Sequence, residues 1–326
     1  MTDDLGGVGE LAALSRILPR LGGAAALVGP GDDAALLAAP DARVLLSTDV
    51  MVEGPDFRLA WSTPHELGRK AIATNLADVA AMGGVATGLL VAIAAPPSTP
   101  VAFLEAVADG MAAACARLSP GVGVVGGDLT ASSVLTIAVT VSGSLQGRAP
   151  VLRSGARPGD ALAYAGSLGL AAAGLRLLFA AGERDPQAVD ALRRSRSALL
   201  AAQLAPEPPV HAGPIAAEAG ATAMLDVSDG LLRDGSRIAR GSGVALDLDP
   251  RALEAEVRGV VSASGCSREE ARSAVLAGGE DHGLLATFPG LVPAPFRRLG
   301  RVLEGPAEVR LGGRPLGDEG WDSFAP

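Results

Sequence analysis

Six aspartates in this chain stand close to glycine or small hydroxyl residues. They are Asp33 in GDD (31–33), Asp49 in STD (47–49), Asp78 in NLAD (75–78), Asp128 in GGD (126–128), and Asp226 and Asp229 in DVSD (226–229). Glycine keeps the backbone slim and exposes N–H groups, and Ser47 and Thr48 add hydroxyl oxygens beside the carboxylate. An all-oxygen donor set without His or Cys in the same segments suits Mg²⁺ rather than Zn²⁺. Magnesium keeps several waters and is usually completed by substrate phosphates. Without a cation, clustered carboxylates repel and raise one another's pKa. The inventory therefore points to phosphoryl chemistry, in which positioning and charge neutralisation do most of the work. Taken singly, each segment is also ordinary turn chemistry, because Asp and Gly favour turns. No GxxxxGK[ST] loop, HRD-type loop or GxSxG elbow is present. The three histidines, His65, His211 and His282, are scattered, which argues against a zinc site or a His-based triad.

The elements that would present these acids follow from hydrophobic spacing. An amphipathic helix spans 8–21, and a strand over 43–50 ends in STD. Residues 51–59 read as irregular and carry Glu53, Asp56 and Arg58. The central helix spans 64–84, with Ile72, Leu76, Val79 and Met82 on one buried face and Asn75 and Asp78 together on one side. Gly83-Gly84 stops it. A strand over 86–95 precedes a helix over 101–118 with core positions Phe103, Leu104, Val107 and Met111. Residues 122–130 read as strand, double glycine and Asp, and 135–143 as another strand. The second half reads as strand 161–165, helix 170–181, a single helix 188–204 closed by prolines, and a helix end at 215–220. Strand and acidic turn follow at 223–230, then helix 231–240, strand 244–248, helix 268–277, GGEDH at 278–282 and strand 283–288. Interleaved strands and helices predict an α/β fold (α+β with mixed sheets) in two domains, 1–148 and 149–326. The segment RSGARPGD (153–160) reads as linker and turn just past the boundary.

Composition narrows the partners. The chain has 326 residues, 48% hydrophobic, with 43 glycines and a net charge of −9. No basic run exists, so nucleic acid is an unsuitable partner. Cys115 and Cys266 have no metal-binding spacing and read as reduced core thiols of a cytoplasmic protein. The N-terminus lacks signal-peptide blocks, and the apolar stretch 161–182 is too interrupted to span a membrane. A soluble protein is expected.

Together the segments GPGDDAALL (29–37), STDVMVEGPDF (47–57), GRKAIATNLADVAAMGG (68–84), GGDLT (126–130), RSGARPGD (153–160), LDVSDGLLRD (225–234) and GGEDHGLL (278–285) run in the order of a known family. The chain resembles thiamine-monophosphate kinase, within the superfamily of aminoimidazole ribonucleotide synthetase. The resemblance implies a homodimer built through the N-terminal domains, which bind ATP and magnesium, with the C-terminal domain completing an active-site cleft. It implies ATP-dependent phosphorylation of thiamine monophosphate to thiamine diphosphate by direct in-line transfer, without a phosphoenzyme. By motif match, Asp33, Ser47, Thr48, Asp49, Asp78, Asp128, Asp226 and Asp229 are similar to magnesium ligands, with Asp78, Asp128 and Asp229 central to catalysis. Gly127, Asp128, Arg153 and Ser228 are similar to nucleotide contacts. Asp56, Glu280 and Trp321 are similar to thiamine-side contacts, Trp321 by stacking. Two positions depart from the pattern: Asp56 replaces a usual His, and EDHGL (280–284) stands where the family usually reads EDYEL. A non-catalytic nucleotide or thiamine-phosphate binder and a phosphohydrolase are the alternative readings.

Overall fold

The computed structural model describes residues 4–5, 10–21, 37–39 and 41–321, so Asp33 and its GDD segment lie outside the described residues. The chain divides into two compact units, Met1–Val79 with Gly84–Gly147, and Ala80–Gly83 with Arg148–Pro326.

In the first unit α1 (Glu10–Ile17) continues as a 3₁₀ turn, Leu18–Leu21. Then come β1 (Leu45–Val52), α2 (Pro64–Ala81), β2 (Val85–Ala95), α3 (Val101–Leu118), β3 (Val124–Ala131) and β4 (Thr136–Ser144). The sheet order is β1-β4-β2-β3. Strand β4 lies antiparallel to β1 and β2, whereas β2 and β3 are parallel and joined through α3, as a parallel pair requires. Side chains alternate across the sheet: Ile137, Val139, Val141 and Val91 are buried on one face. The other face leaves Leu46, Val50 and Leu90 exposed at 71%, 55% and 46%.

Helix α2 departs from the single buried face that its spacing predicts. From Leu67 to Ala77 every residue but Arg69 is buried, including Lys70, Thr74 and Asn75. Its contact with α3 runs backbone to backbone. A Cβ on Gly68 would lie 2.0 Å from the Val107 carbonyl oxygen, and one on Gly110 would lie 2.0 Å from that of His65. The helix ends as expected: Gly83 takes φ +75°, its N–H reaches Ala80 O at 2.8 Å, and the Gly84 N–H reaches Val79 O at 3.0 Å. Two further details differ. Strand β1 extends through Val52, and Phe103 is only half-buried.

The second unit contains β5 (Ala161–Ala165), α4 (Leu170–Ala181), α5 (Pro186–Ser195), α6 (Ser197–Leu204), α7 (Ala212–Glu218), β6 (Ala223–Val227) and α8 (Leu231–Ser242). It continues with β7 (Ala245–Leu248), α9 (Pro250–Ser264), α10 (Arg268–Ala277), β8 (Gly283–Phe288), β9 (Arg297–Leu303), β10 (Glu308–Leu311) and β11 (Arg314–Pro315). Its sheet order is β11-β10-β7-β9-β5-β8-β6, antiparallel except for β10 beside β7. Leu162, Tyr164, Leu225, Leu246 and Leu285 from the sheet pack with Leu231, Ile238, Val257 and Val275 from the helices. Two mixed sheets with helices match the expected fold class.

The expected single helix 188–204 is two helices, broken at Arg196 (φ −136°, ψ 34°). Helix α9 and strands β9–β11 went unread in the sequence. For α9 the signal was present: Asp249 caps it by accepting from the Arg251 N–H at 2.7 Å, Pro250 starts it, and Leu253, Val257 and Val260 form its buried row. The segment 153–160 is a pinned turn rather than a free linker. The Gly155 and Ala156 N–H groups both donate to Ser242 Oγ at 3.1 Å, and buried Asp160 accepts from Thr222 Oγ1 at 2.6 Å. Among the described residues no helix is long and apolar enough to cross a membrane.

Candidate active site

Asp49 and Asp128 lie within strands β1 and β3 rather than in turns at strand ends, whereas Asp78 lies on α2 as its spacing predicts. Ser47, Thr48 and Asp49 lie along β1, and Ser47 donates from Oγ to Asp78 Oδ2 on α2 at 2.6 Å. Ser47 and Asp49, two residues apart on β1, share the sheet face on which Ser47 meets Asp78 of α2. Thr48 points the other way and meets Thr140 Oγ1 at 3.0 Å. Asn75 does not offer its amide beside Asp78: it is buried, its Nδ2 donates to Ala71 O at 2.9 Å, and its Oδ1 has no partner among the described residues.

Gly127 and Asp128 fall in the middle of β3. Gly127 must be glycine, since a Cβ would lie 1.9 Å from the Val91 carbonyl oxygen on the parallel neighbour. Register pairs Asp49 with Val139, Val139 with Val91, and Val91 with Gly127. Asp128, the next residue, therefore faces away from Asp49. The two carboxylates stand at opposite sheet edges, three strand spacings or about 14 Å apart. Gly127 and Asp128 line a cavity of about 710 Å³ with Leu46, Leu90 and Thr140. Asp56 closes a tight turn after β1, with Oδ2 accepting from the Val52 N–H at 2.7 Å.

The second unit gathers its acids more closely. Asp226 is buried on β6, and Ser228 and Asp229 form the turn into α8. Asp229 Oδ2 accepts from Arg237 Nη2 at 2.6 Å, and Arg237 also pairs with Asp234, whose Oδ2 receives the Asp229 N–H at 2.9 Å. Burial pushes the Asp234 carboxyl up to about 6 against the pull of that N–H and of Arg237. The sequence reading missed Asp234 and Arg237, although their three-residue spacing on a helix was visible. Glu280 lies opposite this turn, its N–H donating to Ser228 O at 2.8 Å. His282 is buried between Asp226 and Glu280, with Nδ1 3.7 Å from Asp226 Oδ2 and Nε2 3.5 Å from Glu280 Oε2. Burial opposes its charge, but the two carboxylates outweigh burial and hold the imidazolium up to about 10. The Trp321 N–H donates to Asp229 O at 2.8 Å, so backbone pins the tail while the indole stays 55% exposed. The Arg153 side chain is exposed.

Among the described residues, no three of His, Cys, Asp and Glu come together closely enough to hold a metal ion. The donor chemistry still fits magnesium: Ser47, Asp49 and Asp78 offer hard oxygens only, with a hydroxyl already against a carboxylate.

Residues 31–145 match the family model described as AIR synthase related protein, N-terminal domain, and so place the first unit in that class. A thiamine-monophosphate kinase of Mycobacterium tuberculosis is 47% identical over 319 residues, covering 97% of this chain and 92% of that protein. One from Corynebacterium glutamicum is 40% identical over 90% of this chain and 88% of its own length. A solved structure of AaThiL complexed with AMPPCP and TMP has a TM-score of 0.74 at 32% identity, covering 85% of this chain and 86% of that one. The Escherichia coli hydrogenase maturation protein HypE, at 20% identity and a TM-score of 0.65 over 95% of this chain and 97% of that one, shares the fold. The chain belongs to the thiamine-monophosphate kinase family.

Proposed function

We propose that this protein uses ATP to phosphorylate thiamine monophosphate, yielding thiamine diphosphate and ADP. The observation that carries this reading is 47% identity across 97% of the chain to a thiamine-monophosphate kinase. The binding of AMPPCP and TMP by a related structure agrees with it. A phosphate oxygen of the acceptor attacks the γ-phosphorus of ATP in line, a new P–O bond forms, and the bond to the ADP oxygen breaks, with no phosphoenzyme.

Magnesium, when bound, would supply positive charge that offsets the negative charge of the phosphates. The chain's own residues do the rest. Asp33, Ser47, Thr48, Asp49, Asp78, Asp128, Asp226 and Asp229 are assigned as oxygen ligands shared among several such ions, with Asp78, Asp128 and Asp229 central to transfer. Ser47 orients Asp78 through its hydrogen bond, and Arg237 orients Asp229. Gly127, Arg153 and Ser228 are assigned to the nucleotide, and Asp56, Glu280 and Trp321 to the acceptor, whose ring the exposed indole is free to stack on. ATP and magnesium binding and dimerisation belong to residues 1–148, and 149–326 supply the remaining site residues. The exposed apolar face bearing Leu46, Val50 and Leu90 is the assigned homodimer surface. Free Cys115 and Cys266 agree with a reducing, cytoplasmic setting.

The test is ³¹P NMR of the purified protein with ATP, Mg²⁺ and thiamine monophosphate, with EDTA as control. Magnesium-dependent thiamine diphosphate with matching ADP is expected. Asp78→Asn should lower turnover by about 10²–10³-fold, the scale of losing one preorganised electrostatic contact, with circular dichroism unchanged. ADP and free phosphate without diphosphate would refute the acceptor assignment. No ATP consumption would refute the kinase reading.

A further inference from the structure

We propose that His282 is a positioning residue that couples Glu280 to Asp226 and so sets the affinity for the phosphate acceptor. The inference rests on the reading of Glu280 as an acceptor contact.

The segment before β8 is held in an unusual backbone. Glu280 and His282 take φ +71° and +50°, and a non-glycine residue in that region costs roughly 1 kcal/mol or more. Two such residues within three positions persist only because the surroundings clamp them. On one side the Glu280 N–H donates to Ser228 O at 2.8 Å and the His282 N–H to Val227 O at 2.9 Å. On the other, the Asp281 carboxylate accepts from the Gly169 N–H at 2.5 Å and the Ala171 N–H at 3.1 Å, capping α4. Gly279 and Gly283 let the chain pass closely. A Cβ at 279 would lie 2.5 Å from Ser228 O, and one at 283 would lie 2.2 Å from Tyr164 Oη. Tyr164 cannot yield, being fully buried with its Oη donating to Ser167 O at 2.7 Å.

This clamp directs Asp281 toward α4 and leaves His282 facing Asp226 and Glu280. A structural core histidine satisfies its ring nitrogens with good hydrogen bonds. Neither nitrogen of His282 has a hydrogen-bond partner among the described residues, yet each faces a carboxylate within ion-pair distance. The ring is therefore interposed between two acids that would otherwise repel. Removing it breaks the link between the half-exposed Glu280 and the buried Asp226.

The experiment is steady-state kinetics on the full-length enzyme, varying thiamine monophosphate at saturating Mg-ATP and the converse, for His282→Leu, His282→Gln, Glu280→Gln and the Glu280→Gln/His282→Leu double variant. His282→Leu is expected to raise KM for thiamine monophosphate about tenfold, with KM for ATP within about twofold. His282→Gln, which keeps polar reach, should recover most of that loss. The double variant should be no worse than Glu280→Gln alone, because both changes break one linkage. Equal rises in both KM values, or effects that multiply in the double variant, would overturn the proposal while leaving Glu280 as an acceptor contact. An unchanged KM for thiamine monophosphate in Glu280→Gln would overturn the underlying reading, and the proposal with it. If His282→Leu does not fold, His282→Asn, too short to span both carboxylates, takes its place with the same expected outcomes.

Discussion

At the residue scale, Asp281 shows how burial and hydrogen bonding compete. Burial is the largest effect and pushes the carboxyl up to about 6 from the ordinary 3.8, against the backbone N–H groups of Gly169, Ala171 and Leu170 and the neighbouring His282, which favour its charged form. The unfolded chain has lost this proton by about pH 5, while the folded chain keeps it to a higher pH. The folded state thus binds more protons in that window, and this group's contribution to stability falls as pH rises through it. Asp281→Asn abolishes the titration. Between about pH 4 and about pH 6.5 its stability should improve relative to the unaltered protein by on the order of 1–3 kcal/mol. Urea midpoints at each pH measure this, and a constant difference would refute it. The acids were legible as a set because Asp beside Gly, Ser and Thr is a readable pattern. Their settings were not, since Asp49 and Asp128 lie within strands whose pairing is non-local.

At the element scale, α2 and α3 meet where neither can carry a methyl group. In Gly110→Ala the new Cβ would sit 2.0 Å from the backbone oxygen of His65, and backbone cannot rotate away as a side chain can. The helices must separate, and we expect a loss of about 3 kcal/mol or more, with reduced turnover because α2 carries Asp78. Gly259, in the middle of α9 with nothing within 4 Å of its Cβ position, is the control. Gly259→Ala should stabilise by about 0.5–1 kcal/mol through helix propensity. Thermal unfolding of the two variants distinguishes a close helix crossing from a general intolerance of substitution. Equal effects would refute the argument. Helix α2 itself was readable, with its glycine stop, but its all-round burial was not: Lys70, Thr74 and Asn75 look like a solvent face in sequence and are covered in the fold.

At the scale of the whole molecule, the apolar sheet face is the feature a single chain does not explain. Leu46 on β1 and Leu90 on β2 stand exposed on either side of β4 in one sheet, where a monomer would gain from polar residues. If the proposed homodimer forms through this face, the unaltered protein should sediment at twice the chain mass and Leu46→Lys combined with Leu90→Lys at that of a single chain, since charges buried on a two-fold interface would meet their own copies. A variant that remains dimeric would move the interface elsewhere.

Local chemistry determined the fold class, most element positions and the inventory of hard oxygen ligands, because periodicity, caps and residue types act over a few neighbours. Only the tertiary structure decided which acids become neighbours. Ser47 meets Asp78 across a sheet and a helix, and His282 reaches Asp226 from 56 positions away. Asp49 and Asp128, alike in sequence, part to opposite edges and faces. Strand order and register set these distances, and both depend on pairings between residues far apart in the chain, which no local pattern encodes.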